Sequence, residues 1–256
     1  MEFADLYIPL LILAGFLAGF INTLAGNGSV FTLSLLLFLG LPVHVANGTN
    51  RLGAFSQSLV SLVLFKKNTA FKQLVKQEYW MLYPTVIGSL LGAYSSSFVS
   101  DNSFRWIIVV LMLVMLVLVL TKPKSWLKEQ QEQLNRKTIP HIVLLFTIAF
   151  YAGFIQMGMG ILYLSSFVLA FKFTVLQSNM LKILLTFFMI IPALLIFIYQ
   201  DQVLWLYGIC LAIGQGFGAW IATKFALENK KANLWVRYVL VIMIILSVIK
   251  LVWFNA

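Results

Sequence analysis

Two stretches hold most of the residues in this chain that could do chemistry. The first contains Asn22 and Gly26-Asn27-Gly28-Ser29, followed by Asn47-Gly48-Thr49-Asn50-Arg51. The second contains Gln156, Gly158 and Gly160, followed by Gln177-Ser178-Asn179 and Lys182. Gly48 apart, these are the candidate binding residues. Each stretch offers side-chain amides, a hydroxyl, a glycine-bearing break and one cation at the mouth of a helix. Neutral N–H and O–H groups coordinate oxyanions without adding charge, and Arg or Lys supplies the countercharge. A helix interrupted at glycine adds free backbone N–H groups and the positive end of a dipole. The chemistry expected is recognition of a small anion. Two plainer readings stand beside it: the glycines serve only close helix packing, and Arg51 and Lys182 snorkel to headgroups from near a helix end. Arg51 is set apart as one of very few cations on the side predicted to face outward.

Other chemistries find no support in the residues. All eight acids, Glu2, Asp5, Glu78, Asp101, Glu129, Glu132, Asp201 and Glu228, fall at the ends of apolar runs or between them. Proton and cation pathways commonly use carboxylates inside the membrane, so a cation carrier and an aspartyl protease are disfavoured. His44 and His141 lack the HExxH spacing of a zinc protease. The single cysteine, Cys210, lies in an apolar run and reads as packing. No Gly-Lys-Ser/Thr phosphate loop appears. The chain is therefore not expected to be an enzyme, and neither a metal nor a cofactor is expected.

The elements that must position the candidate residues follow from composition. Apolar residues make up 61% of the 256 positions and charged residues 10%, against about 45–50% and about 25% in soluble domains. Such an excess has to face lipid, where about 20 apolar residues make a spanning helix. Apolar runs fall at roughly 6–25, 29–41, 46–65, 79–98 and 103–121, then at roughly 139–157, 161–172, 180–200, 203–223 and 234–254. Met1 to Asp5 has neither the positive region nor the cleavage site of a signal peptide, so the first run is expected to be a retained helix. Trp80, Trp106, Trp126 and Trp235 lie near run ends, as in an interfacial aromatic belt. The net charge of +10 sits in the short gaps between runs, which argues for membrane topology and against a nucleic-acid partner.

The second run of each half is short, about 13 residues after Gly28 and about 12 after Gly160. It covers only ~20 Å of a ~30 Å hydrocarbon core. The halves also share motifs in the same order. Ala18-Gly19-Phe20-Ile21-Asn22 matches Ala152-Gly153-Phe154-Ile155-Gln156, and Gly92-Ala93-Tyr94 matches Gly218-Ala219-Trp220. Lys66, Lys67, Lys72 and Lys76 fall between the third and fourth runs, whereas the equivalent gap around Gln200-Asp201 has no cation. Between the fourth and fifth runs the bias reverses: Ser100 to Ser103 has none, and its counterpart holds Lys224, Lys230 and Lys231. Opposite charge bias in equivalent loops places the halves upside down relative to each other. Paired, glycine-interrupted short segments in inverted halves are the sequence pointer to a transporter binding site.

The stretch AGFINTLAGNGS (18–29), followed by LGLPVHVANGTNR (39–51), resembles the N-terminal signature of the TauE/SafE-type sulfite exporter family. AGFIQMGMG (152–160) with QSN (177–179) resembles its weaker second repeat. The Gly26-Asn27-Gly28 break replaces an all-glycine run, and Thr32-Leu33-Ser34 lacks a proline common there; neither change touches the fold. The resemblance implies a bacterial inner-membrane carrier of sulfite, an organosulfonate or a related sulfur-containing or carboxylate anion. The architecture expected is all-α: a polytopic helix bundle of two inverted five-segment repeats, with broken or re-entrant short helices in each. Residues 1–121 form the first repeat, 122–138 a basic cytoplasmic linker and 139–256 the second repeat, with both termini outside. An anion channel of the same architecture is the alternative. Expected partners are a small anion and the lipid bilayer, with a homodimer left open.

Overall fold

The computed structural model describes residues 2–100, 103, 106 and 136–228. Nearly all of the fifth run, the last run at 234–254, most of the linker, and Trp126, Trp235, Lys230 and Lys231 lie outside the described residues. Every regular element among the described residues is helical. The order is α1 (Glu2–Leu24), α2 (Ser29–Phe38), α3 (Val43–Phe65), α4 (Thr69–Glu78), a 3-10 turn (Tyr79–Met81), α5 (Leu82–Ser96), α6 (Ile139–Phe154), α7 (Met159–Leu169), α8 (Val175–Tyr199) and α9 (Trp205–Glu228). Tyr7–Leu24, Val175–Tyr199 and Trp205–Leu227 are long and apolar enough to cross a membrane.

Three boundaries differ from the hydropathy reading, each for a local reason. α3 starts at Val43, just after Pro42 at the N-cap, where proline's fixed φ suits a helix start. The Asn47–Arg51 cluster therefore lies within the helix and not at its first residue. α8 starts at Val175 because Thr174 and Gln177 form a reciprocal capping box, which satisfies two otherwise orphaned N–H groups. The lysine-rich gap after α3 folds into α4, capped by Asn68, whose Oδ1 accepts from Phe71 N at 3.2 Å. Phe71 and Leu74 of α4 are buried while Lys72 and Lys76 are exposed, the pattern of a surface amphipathic helix.

The bundle turns apolar side chains outward and carries a polar stripe of α3 in its interior beside an apolar core. Leu10, Leu13 and Leu17 of α1 and Ile209, Ile213 and Phe217 of α9 are exposed. Asn47, Asn50, Arg51, Gln57, Ser58 and Ser61 of α3 are buried. Lipid cannot drive apolar faces together, so membrane helices associate through small residues and polar contacts. α1 and α9 do this through glycine: a Cβ on Gly15 or Gly19 would strike the backbone of Leu211 or Gln215, and one on Gly218 the backbone of Phe16. α5 and α6 meet the same way, through Gly88 against Phe146 and Gly92 against Phe150.

These contacts fix helix directions. α1 and α9 run parallel, as do α3 and α9, where Thr49 Oγ1 accepts from Leu204 N and Thr223 Oγ1 donates to Ser61 Oγ, both at 2.9 Å. α5 runs parallel to α6 and to α8, where Ser89 Oγ donates to Met189 O at 2.7 Å and Gln200 Nε2 to Ser97 Oγ at 2.5 Å. α3 and α8 cross antiparallel, with Phe55 on Phe187 and Arg51 over Phe197. Exchanging α1, α2, α3 and α5 with α6, α7, α8 and α9 maps the main helix-to-helix contacts onto one another. The short helices double back: a Cβ on Gly28 at the start of α2 would strike Ala18 of α1. Ala170 beyond α7 lies 3.4 Å from His141 at the start of α6.

Candidate functional site

The two breaks meet at the centre. Gly26 has φ 85° and Gly158 φ 71°, a left-handed backbone that glycine adopts without strain. A Cβ on Gly26 would run into the backbone of Gly160, and one on Gly160 into that of Gly26, so the halves touch main chain to main chain. Asn22 holds the first break: its Oδ1 accepts from Gly28 N at 2.6 Å and Ser29 N at 3.3 Å, and its Nδ2 donates to Ser29 Oγ at 3.0 Å. The amide thus caps α2 and joins it to α1. Gln156 has the matching place in the second break, yet it is fully buried with neither amide atom bonded to protein. Asn27 is buried beside the first break.

The two cations are exchanged between the halves. Lys182, on α8 of the second half, donates from Nζ to Asn22 O at 2.8 Å and Thr23 O at 3.0 Å, in the last turn of α1. Arg51, on α3 of the first half, donates from Nη2 to Gly153 O at 2.5 Å and Ala152 O at 3.4 Å, in the last turn of α6. Asn47, one turn before Arg51, donates to Phe154 O at 2.9 Å. Each cation therefore sits on the negative end of a helix from the other half. Neither snorkels: Arg51 is 0% exposed and Lys182 3%.

That placement leaves positive charge unspent. Burying a cation costs several kcal/mol even after relaxation. A helix C-terminus returns at most about 2 kcal/mol, and hydrogen bonds to a charged group about 1.5–3 kcal/mol each. No described carboxylate pairs with either cation. Arg51 keeps Nε and Nη1 without a protein partner, and Lys182 uses two of its three donors on carbonyls. The result is a buried field that favours an anion and repels a cation.

Several candidates have structural duties. Thr49 caps the start of α9 through Leu204 N, and Asn50 Oδ1 accepts from Thr32 Oγ1 at 2.6 Å, tying α2 to α3. Gln177 is spent in the capping box. Ser178 Oγ and Asn179 Oδ1 are buried without protein partners. Asn22, Gly26, Gly160 and Lys182 line one small cavity together with Gln57, Ser58, Met159, Ile183 and Thr186. At ≈ 10 Å³ it admits about one water-sized occupant. Gln57, Ser58 and Thr186 escaped the sequence reading. The available signal was a polar residue one or two turns beyond a candidate cation, inside a run meant to be apolar: Thr186 follows Lys182 by one turn and Ser58 follows Arg51 by two.

A polytopic bundle with two opposed glycine breaks and buried cations belongs to the class of multi-pass membrane transporters. The profile described as "Sulfite exporter TauE/SafE" matches residues 11–251, and the chain belongs to that family. It is 27% identical over 223 residues to the probable membrane transporter protein ORF9 of Sinorhizobium sp, covering 87% of this chain and 84% of that one. It is 25% identical over 252 residues to a probable membrane transporter protein of Haemophilus influenzae, covering 97% of each. It is 26% identical over 227 residues to the probable membrane transporter protein YfcA of Escherichia coli K12, covering 88% of this chain and 83% of that one. No solved structure matches the chain significantly.

Proposed function

We propose that this transporter is a secondary carrier of a small anion, with sulfite, an organosulfonate or a related sulfur-containing or carboxylate anion as cargo. The observation that carries this reading is the pair of buried cations with no acidic partner among the described residues, each beside a glycine break. The candidate residues act as neutral donors around them, and no catalytic group is invoked. A cavity as small as the one at the crossing favours a carrier that must change shape over an open channel. In proteoliposomes, flux of sulfite is expected to saturate, and conductance steps in a planar bilayer would overturn the carrier reading. The folded protein is also expected to gain thermal stability with the cargo, by about 2.7 kcal/mol at a hundredfold excess over Kd. A screen of sulfite, sulfate, thiosulfate, an organosulfonate and small carboxylates that moves Tm with none of them would count against an anion.

The opposed helix directions and the exchangeable neighbour pattern support two inverted repeats in a bacterial inner membrane, with both termini outside. A single cysteine at 66–76, 122–137 or 224–231 is expected to be labelled only from the cytoplasm, and reporters at residues 1 and 256 to read as outside. A cytoplasmic terminus together with cytoplasmic basic loops would sink the odd number of crossings per half.

A further inference from the structure

Arg51 and Lys182 do not face one anion. Cα–Cβ bonds tilt toward the N-terminus of their own helix, and α3 and α8 cross antiparallel, so the two side chains lean apart. Arg51 reaches Phe197, with its guanidinium 4.6 Å from the ring centre. Phe197 lies beyond Lys182 by roughly 20 Å along α8 at a rise of about 1.5 Å per residue. Lys182 instead turns to Asn22 O and Thr23 O, where the cavity is lined by Gln57, Ser58 and Thr186. A sulfite-sized ion cannot span that distance.

We infer that the carrier has a second anion site, an inner station built from Lys182, Gln57 and Thr186 on the side of the lysine-bearing α4, distinct from the outer station at Arg51. This rests on the anion-carrier reading above. Gln57 is 5% exposed and lines the cavity, where its amide Nε2 is a neutral donor. Thr186 stands one turn from Lys182 on the same face of α8 and adds a hydroxyl. Lys182 supplies the charge with its remaining donor. The Gly26–Gly160 contact belongs to the same cavity, so movement of the breaks opens or closes this station. The anion is then handed from one buried cation to the other while each remains anchored on helix-end carbonyls.

The test uses the full chain in oriented proteoliposomes, with radiolabelled sulfite presented from either side. Gln57→Leu and Thr186→Val, which leave all charges in place, are expected to raise the half-saturating concentration on the α4 side about three- to tenfold. The value on the opposite side should stay within about twofold. Lys182→Gln should raise the α4-side value at least tenfold, and Lys182→Arg should recover part of it. Arg51→Gln should act on the opposite side. Equal shifts on both sides in the Gln57 and Thr186 variants would mean one shared site, and no shift in any Lys182 variant would make Lys182 a helix cap alone; either overturns the inner station. A wild-type protein that carries none of sulfite, sulfate, thiosulfate, an organosulfonate and acetate would instead overturn the carrier reading itself.

Discussion

Gly160→Leu is expected to reduce anion flux to background in proteoliposomes while the protein still reaches the membrane. The reason is the nature of the obstacle. A Cβ at residue 160 would meet the main chain of Gly26, and a Cβ at Gly26 the main chain of Gly160. Flexible side chains yield to an added methyl group, whereas backbone held at φ 85° between two helices does not. Overfilling a packed interior costs typically 1–3 kcal/mol, and a leucine at a main-chain contact belongs at or above that range. The bundle survives because its helices are secured elsewhere, along α1–α9 and α5–α6. The crossing itself would be forced apart or jammed. Gly28→Leu is expected to act alike, since it would collide with Ala18 and push α2 away from α1. Gly40 gives the contrast: it has φ 84° with nothing near its Cβ position, so Gly40→Asn should keep flux within about twofold, because asparagine tolerates the left-handed region. Flux, membrane abundance and melting temperature on the four proteins decide the matter. Wild-type flux from Gly160→Leu would return the breaks to ordinary packing.

The sequence made the glycine breaks legible because a short apolar run after Gly-x-Gly has few explanations in a membrane, and it made the interior polarity of α3 legible because polar residues there are scarce. It concealed what the polar residues touch. Arg51 reads as the companion of Asn47 to Asn50, yet its carbonyl partners come from α6, a hundred residues away in the chain. Lys182 in the same way serves α1. A pattern read along the chain assigns neighbours by number, while the packing of α3 against the end of α6 and of α8 against the end of α1 assigns them by space. Hydropathy places two helix starts late, because Pro42 and the Thr174–Gln177 box begin α3 and α8 before the apolar residues do. α4 is hidden because four lysines, Lys72 and Lys76 among them, dominate the gap that holds it, although Phe71 and Leu74 at helical spacing give it a buried face. Gln57, Ser58 and Thr186 read along the chain as isolated polar residues; the antiparallel crossing of α3 and α8 brings Gln57 and Ser58 to Lys182, and Thr186 stands one turn from it on α8.

Arg51→Ala is expected to raise the half-saturating anion concentration at least about tenfold on the side opposite the lysine-rich loop, and Arg51→Lys to fall between alanine and wild type. Arg51 divides its donors. Nη2 is engaged with Ala152 O and Gly153 O, while Nε and Nη1 have no protein partner. The planar group can therefore hold the end of α6 through Nη2 and still offer an oxyanion an N–H from Nε or from Nη1. Lysine has three donors on a flexible stem and no fixed fork, so it can serve the carbonyls or the anion but serves both poorly. Each charge-assisted hydrogen bond contributes about 1.5–3 kcal/mol, so losing even one corresponds to about a tenfold or greater loss of affinity. Alanine also strands the α6 carbonyls, which costs about 1–3 kcal/mol per unsatisfied buried group, so a lower melting temperature should accompany the loss. Separating the two effects requires binding measured well below each variant's own melting temperature. Arg51→Lys should restore much of the stability while leaving affinity short of wild type. If Arg51→Ala keeps half-saturation within twofold of wild type on both sides, Arg51 is a helix cap and nothing more, and the countercharge for the anion falls to Lys182.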